Sequence, residues 1–189
     1  MNGLKFDKGK ADWHLVPIEY FISMAAFIKP FIKMYMLKKK EIIFNRSHIY
    51  NIIRSNIAQW YMERNYRLGD FHPLMGAMIG TLMLADPRKY SYEEVFSTSK
   101  FVQRWDLINP EWTTKIVEIY TYGANKYNAN NWQNVELHRY YSALNRHLEQ
   151  YWKGDIYDVE SGFQHLYHAA WNCISIMWLE KNRKKEKSL

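Results

Sequence analysis

The chain has 189 residues, a formal net charge of +7, 17% aromatic residues and only 8 Gly and 5 Pro. This length corresponds to one domain with a buried core, and the composition excludes collagen-like, low-complexity and intrinsically disordered chains. The aromatic content exceeds what one small core requires, so we expect some rings to serve a ligand, a partner or a subunit interface.

The N-terminal region combines a basic segment with an aromatic one. Lys5–Lys10 places three lysines around Gly9 but lacks the glycine spacing and the Lys-Ser/Thr ending of a P-loop. Residues 1–7 contain no apolar run of the kind that a secretory signal needs. The segment Trp13–Glu19 resembles Trp105–Glu111 at an offset of 92 residues. This similarity indicates two similar loop-to-helix transitions, the copied junction of an insertion, or chance.

Apolar residues recur at helical spacing in six segments. These segments are Met24–Tyr35, Ile49–Tyr61, Leu74–Ala85, Glu111–Tyr122, Val135–Trp152 and Ser161–Lys181. Pro30 predicts a break or a helix start in the first segment, Gly123 a C-cap for the fourth, and Gly154 the end of the fifth. Asp158–Ser161 offers N-cap chemistry for the sixth. The pattern predicts an all-α domain, organised as a helical bundle.

The sequence predicts no membrane span. Its most apolar stretch, Ile18–Leu37, is interrupted by Lys29, Pro30 and Lys33. The single cysteine, Cys173, excludes a disulfide framework within the chain, and its apolar neighbours predict a small core residue. These features favour a reducing, cytoplasmic location.

The final predicted helix carries a polar stripe beside an apolar one. His165, His168 and Asn172 lie within about 60° of each other around a helix axis. Two histidines at i and i+3 can bind a metal or a phosphate. The alternative is a surface stripe in which the histidines are incidental.

The preceding predicted helix carries basic side chains on one face. Arg139, Ser142 and Arg146 form this stripe, and His147 lies at its edge. Because arginine pairs bidentately with phosphate oxygens, this face predicts a phosphate contact.

Two loops next to this helix add further candidate groups. Lys126 can reach a phosphate and Tyr127 or Trp132 can stack on a base, although packing into the core is the favoured alternative for Trp132. The loop after the helix carries three carboxylates that can hold Mg²⁺ or Mn²⁺, or that form an ordinary acidic cap. These carboxylates are Asp155, Asp158 and Glu160.

The C-terminal segment Lys181–Lys187 carries five basic residues and one acidic residue. It predicts a solvated basic tail over residues 182–189. Subtracting its net +4 from +7 leaves +3 for the rest of the chain. This remainder is compatible with an anionic ligand and does not by itself indicate a nucleic-acid groove.

The motifs in chain order resemble a family. They are Lys5-x-Asp7-x-Gly9-Lys10, Trp13-x-Leu15-x-Pro17, Gly123-Ala124-x-Lys126-Tyr127, Asn131-Trp132, Arg146-His147, Gly154-Asp155-x-x-Asp158-x-Glu160-Ser161-Gly162 and His165-Leu166-x-His168-Ala169-x-x-Asn172. The set resembles the bacteriophage dATP/dGTP diphosphohydrolase N-terminal-domain family, related to the MazG-like all-α nucleotide pyrophosphohydrolases. The resemblance implies a MazG-like nucleotide-binding helical core over residues 1–23 and 105–181.

The sequence departs from the family pattern in two ways. Residues 24–104 form a helical insertion, with exposed-looking aromatics such as Trp60 and Tyr61, and we predict a lid or an oligomer interface there. The acidic pairs by which MazG-like proteins hold Mg²⁺ are absent, and His165 and His168 fall where the second pair is expected. The metal is then held by the carboxylates of the 154–162 loop with help from a histidine, or the pocket binds phosphates without cleaving them.

The resemblance implies a metal-dependent (deoxy)purine nucleoside triphosphate diphosphohydrolase that releases the monophosphate and pyrophosphate. In this interpretation Mg²⁺ or Mn²⁺ is held by Asp155, Asp158 and Glu160. The catalytic residues are His165 or His168 as general base, with Arg146 and Lys126 offsetting phosphate charge. The nucleotide-binding residues are Lys5, Lys10, Trp13, Lys126, Tyr127, Asn131, Trp132, Arg139, Arg146, His147 and Asn172.

Two other functions remain open from the sequence. A non-catalytic protein that sequesters a phosphorylated nucleotide or a defence signal fits a basic, histidine-rich pocket without the usual acids. A nucleic-acid-binding module is supported only by charge and aromatic content, so we expect no nucleic-acid partner. The resemblance also implies a homo-oligomer, a dimer or a tetramer, in the host cytoplasm if the chain comes from a phage.

Overall fold

The computed structural model describes residues 15–35, 45–63, 72–86 and 107–186, and these residues are predominantly helical. The helices are α1 (Glu19–Tyr35), α2 (Arg46–Glu63), α3 (Pro73–Ala85), α4 (Pro110–Lys126), α5 (Leu137–Lys153) and α6 (His165–Glu186), with a 3₁₀ turn at Asn131–Asn134 before α5. The predicted all-α fold is confirmed for this part of the chain. None of these helices is long and apolar enough to cross a membrane.

Local capping explains where three of the helices begin or end. His72 precedes α3, and its Nδ1 accepts a hydrogen bond from the backbone N–H of Leu74 (3.2 Å). Asn109 precedes α4, and its side-chain oxygen accepts from the N–H of Glu111 (3.1 Å). Proline occupies the first position of both helices, where its missing N–H costs nothing. Gly154 ends α5 with a φ of 108°, which confirms the predicted end of this helix.

Three predicted helix boundaries are wrong. Helix α1 continues through Pro30, since burial of its apolar face outweighs one lost backbone hydrogen bond. Gly123 lies inside α4, because tertiary contacts offset the cost of about 1 kcal/mol for a glycine in a helix. Helix α6 begins at His165 rather than Ser161, because residues 156–163 form a turn closed by their own backbone hydrogen bonds.

Helix α6 lies at the centre of the fold. It packs against α3, α4 and α5, while α1 and α2 pack against α3. One hydrophobic cluster includes residues of all six helices, and Cys173 is fully buried in it, as predicted. The expectation that Trp60 is exposed is wrong, because it is 1% exposed and its indole N–H donates to Glu180 Oε1 (2.9 Å). Tyr61, one residue further along α2, is exposed.

The described part of the predicted insertion contributes to the same core as the predicted nucleotide-binding part. Helix α3 is buried from Pro73 to Met83, and its Gly80 allows a close approach to α2. A Cβ at Gly80 would lie 2.8 Å from Cγ1 of Ile53. The role of residues 24–104 as a lid or an oligomer interface stays a prediction.

Candidate functional site

A cleft of about 730 Å³ lies between α4, α5, α6 and the loops on either side of α5. This volume falls in the range of small-molecule sites. The predicted site residues that line the cleft are Lys126, Tyr127, Asn131, Trp132, Arg139, Arg146, His147, Asp158, Glu160, His168 and Asn172. Asp155 and His165 are not among the lining residues, and Lys5, Lys10 and Trp13 lie outside the described residues.

The predicted basic stripe of α5 faces this cleft. Arg139 and Arg146 are exposed, and neither forms an ion pair with an acid of the described residues. Lys126, at the end of α4, is instead paired with Glu160 from the loop before α6. The two arginines therefore leave their positive charge available in the cleft. Lys126 would have to break its ion pair with Glu160 before it could bind an anionic ligand.

Aromatic side chains also line the cleft. Trp132 packs edge-on against Tyr120 (centroids 5.3 Å apart) and Trp178 (4.8 Å), so it contacts the core while it also lines the cleft. Its contact with a nucleotide stays a prediction. Tyr127 is 60% exposed, and Nζ of Lys126 lies over its ring, 5.2 Å from the centroid. The indole N–H groups of Trp171 and Trp132 are buried and have no hydrogen-bond partner among the described residues. The same holds for Oδ1 of Asn172 in the polar stripe of α6.

Three histidines meet where α5 packs against α6. His147 Nδ1 and His165 Nδ1 are 2.8 Å apart. The His147 ring stacks on His168, with centroids 4.7 Å apart and an interplanar angle of 10°. His165 is 7% exposed and His147 is 9% exposed. The alternative of a surface stripe with incidental histidines is therefore wrong.

Ser161 links Asp158 to this histidine cluster. Its backbone N–H and its hydroxyl both donate to Asp158 Oδ1, each at 2.9 Å. Its Oγ also lies 2.7 Å from His168 Nε2. The hydroxyl of Ser161 has one proton, and it donates that proton to Asp158. In the contact between Ser161 and His168, the donor is therefore the Nε2–H of His168 and the acceptor is Oγ of Ser161. Gly162, with a φ of 73°, lets the chain turn back toward α6 immediately afterwards.

A family model described as dATP/dGTP diphosphohydrolase, N-terminal, matches residues 93–188. The matched segment is just over half of the chain and includes α4, α5 and α6 with both intervening loops. The chain belongs to this family. A relative named dATP/dGTP diphosphohydrolase, from Salmonella phage PMBT28, is 35% identical over 77 residues, which cover 41% of this chain and 27% of the relative. The match therefore spans about a quarter of the phage protein's length, and no solved structure matches the chain.

In this family member, burial favours the neutral form of two of the three histidines, His147 and His168. Burial lowers the pKa of His147 from 6.5 to about 3, and the neighbouring His168, His165 and Arg146 act in the same direction. Burial likewise lowers the pKa of His168 to about 4, against the opposing charge of Asp158. Burial alone would raise the pKa of Asp158, but the two hydrogen bonds from Ser161, together with the neighbouring His168 and His147, hold this pKa below its usual value.

Among the described residues, the side chains that could hold a metal ion together are His147, Asp158 and His165. One ligand atom of each lies within 4.8 Å of the other two. Asp158 is the member of the predicted carboxylate trio that belongs to this group. Asp155 is exposed outside the cleft lining, and Glu160 is occupied by Lys126.

Two features of this cleft were not predicted from the sequence. Ser161 was expected to cap a helix, whereas it holds Asp158 and His168 together. The Asp-x-x-Ser spacing before the His-x-x-His pair was the available signal for this link. Trp171 was not singled out, because an indole within a helical apolar pattern looks like ordinary core.

Proposed function

We propose that this chain is a metal-dependent (deoxy)purine nucleoside triphosphate diphosphohydrolase that releases the monophosphate and pyrophosphate. The observation that carries the proposal is one cleft lined both by two arginines that pair with no acid of the described residues and by His147 and Asp158 of the carboxylate–histidine group. The substrate class is taken from the description of the family and from the printed name of the phage relative.

The cleft offers separate regions for the phosphates and for the base. Arg139 and Arg146 are one face of α5 and suit bidentate contacts with phosphate oxygens. Tyr127 offers an exposed ring for stacking.

The reaction requires water to attack the α-phosphorus while the bond to the α,β-bridging oxygen breaks and pyrophosphate leaves. Arg139 and Arg146 offset the charge that develops on the phosphates. His168 donates through Nε2 to Ser161, so its Nδ1 is the atom that can accept a proton from water. Of the two predicted bases, His168 lines the cleft, whereas His165 does not and contacts His147 instead. His168 is therefore the better candidate for the general base.

A divalent cation fits at Asp158, a carboxylate that lines the cleft and is oriented by Ser161. Mg²⁺ or Mn²⁺ bound there would polarise a phosphate oxygen and make a water more acidic. Asp155 and Glu160 stay predicted ligands for this cation.

The proposal is tested with the full chain and each of the four dNTPs and four NTPs, with Mn²⁺ or Mg²⁺. Anion-exchange chromatography is expected to show dAMP from dATP and dGMP from dGTP, with one pyrophosphate for each. The substitution Arg146→Gln is expected to lower kcat/KM by about 10- to 100-fold, because a charge-assisted bidentate contact is lost.

The matched control is Lys153→Gln, which removes a cation from the same helix outside the cleft, where Lys153 pairs with Glu149 (2.8 Å). This variant should keep wild-type turnover. Intact nucleotides under all conditions would rule out the enzyme. Tight binding by calorimetry, with the nucleotide recovered intact, would establish the sequestering protein instead.

A further inference from the structure

We infer that His147, Asp158 and His165 form a binding site for one transition-metal dication, with two imidazole nitrogens and one carboxylate oxygen as protein ligands. The catalytic role of such a site rests on the proposed function, whereas the binding of the ion does not. The site differs from an all-carboxylate one because two of its three ligands are imidazoles, which come from two helices that pack against each other.

The spacing of the ligand atoms suits a single ion. The two Nδ1 atoms are 2.8 Å apart, and the group as a whole lies within 4.8 Å. Metal–ligand bonds of about 2.1 Å place neighbouring ligand atoms about 3 Å apart. Only small side-chain movements are therefore needed to bring all three atoms onto one ion.

The helices hold two of the ligands in place. His147 lies on α5 beside the fully buried Leu144 and Leu148, and His165 begins α6 beside the fully buried Leu166. Helices α5 and α6 pack against each other, so the separation of the two imidazoles is set by the hydrophobic core rather than by a loop.

Surrounding side chains orient the third ligand and leave it one free oxygen. Both hydrogen bonds from Ser161 go to Oδ1 of Asp158, and no described residue donates to its Oδ2. His168 stacks on His147 and bonds to Ser161, so it buttresses two members of the group. Hydrogen-bonded supports of this kind are typical around metal ligands.

The ligand types select the class of ion. Two imidazoles and one carboxylate suit Mn²⁺, Co²⁺ or Zn²⁺, whereas Mg²⁺ prefers oxygen ligands and retained waters. His147 and Asp158 line the cleft, so an ion held by them would lie beside the place where phosphates are expected. A hydrogen bond between two neutral imidazoles, with no affinity for metal, is the alternative that an experiment must distinguish.

The test uses the full chain freed of metal by EDTA and then dialysed. We expect one Co²⁺ per chain by visible absorption and elemental analysis, displaced by Zn²⁺ and not by an excess of Mg²⁺. The substitutions His147→Gln, Asp158→Asn and His165→Gln are each expected to weaken Co²⁺ binding at least about tenfold. The matched control is His138→Gln, which removes an exposed histidine from the cleft lining and should leave Co²⁺ binding unchanged.

A measurement on the unsubstituted protein tests the metal site even if the substituted variants fail to fold. Pulsed EPR of the Mn²⁺-loaded chain should show nitrogen couplings from two directly bound imidazoles. Absence of nitrogen coupling, or competition by Mg²⁺ at equal concentration, would overturn the inference. Nitrogen-coupled Mn²⁺ binding without nucleotide turnover would support the metal site and rule out the proposed activity. Turnover with Mg²⁺, without nitrogen coupling in the Mn²⁺-loaded chain, would support the activity and rule out the metal site.

Discussion

The buried imidazoles of His147 and His168 couple folding to pH. Both have a lowered pKa in the folded chain, about 3 and about 4, against 6.5 for an ordinary histidine. The folded state therefore binds fewer protons than the unfolded state at mildly acidic pH, and stability rises with pH over this interval. Above pH 6.5 both states are neutral at these residues and the dependence ends.

We expect the free energy of unfolding to decrease as the pH falls below about 6.5, and to keep decreasing until the folded pKa values are reached. The loss by pH 5 is up to about 2 kcal/mol for each of the two histidines. Urea denaturation at pH 7.5, 6 and 5, in the presence of EDTA, measures it. His168→Gln should reduce the slope between pH 6.5 and 5, and the exposed-histidine variant His138→Gln should keep it. Equal stability at pH 7.5 and pH 5 would contradict the buried, neutral cluster.

At the scale of elements, two helical glycines have opposite roles. Gly80 in α3 faces Ile53 of α2, where a Cβ would approach to 2.8 Å. Gly123 in α4 has no such neighbour within 4 Å. The first glycine is required by the contact between two helices, and the second only weakens its own helix.

We expect Gly80→Ala to lower the free energy of unfolding by about 1–3 kcal/mol, because the added methyl forces α2 and α3 apart. Gly123→Ala should raise it by about 0.5–1 kcal/mol, because alanine is the better helix former. Chemical denaturation of both variants and the unsubstituted chain at one pH measures the two changes in the free energy of unfolding. A gain for Gly80→Ala would show that α2 and α3 are not in close contact.

At the scale of the whole molecule, α6 depends on two sets of partners. It packs against α4 and α5, which lie in the family-matched segment, and against α3, which lies outside it. Deleting residues 25–100 removes the covering helix and exposes the apolar surface of α6. The matched segment is thus part of a larger core rather than a unit beside it.

We expect a chain lacking residues 25–100 to lose its cooperative thermal unfolding transition and to aggregate. Circular dichroism during heating and size-exclusion chromatography of the shortened and full chains make the comparison. A cooperative transition in the shortened chain would show that α4–α6 fold without α3. The predicted dimer or tetramer concerns surfaces between chains and stays a prediction.

Much of the fold follows from local sequence. The six helices, the proline starts of α3 and α4 and the glycine end of α5 depend on residues within one or two turns. The helical period also places His165, His168 and Asn172 on one side of α6. Pro30 and Gly123 misled the prediction, because packing outweighs propensity where a helix face is buried.

The sequence by itself determined an all-α chain of this family, with polar stripes on its last two helices and acids between them. Only the tertiary structure decided that His147 faces His165, that Ser161 joins Asp158 to His168, and that Trp60 is buried. A helical pattern specifies which side chains share a face. The partner of that face depends on how α5 and α6 are rotated against each other, which the packing of the whole core decides.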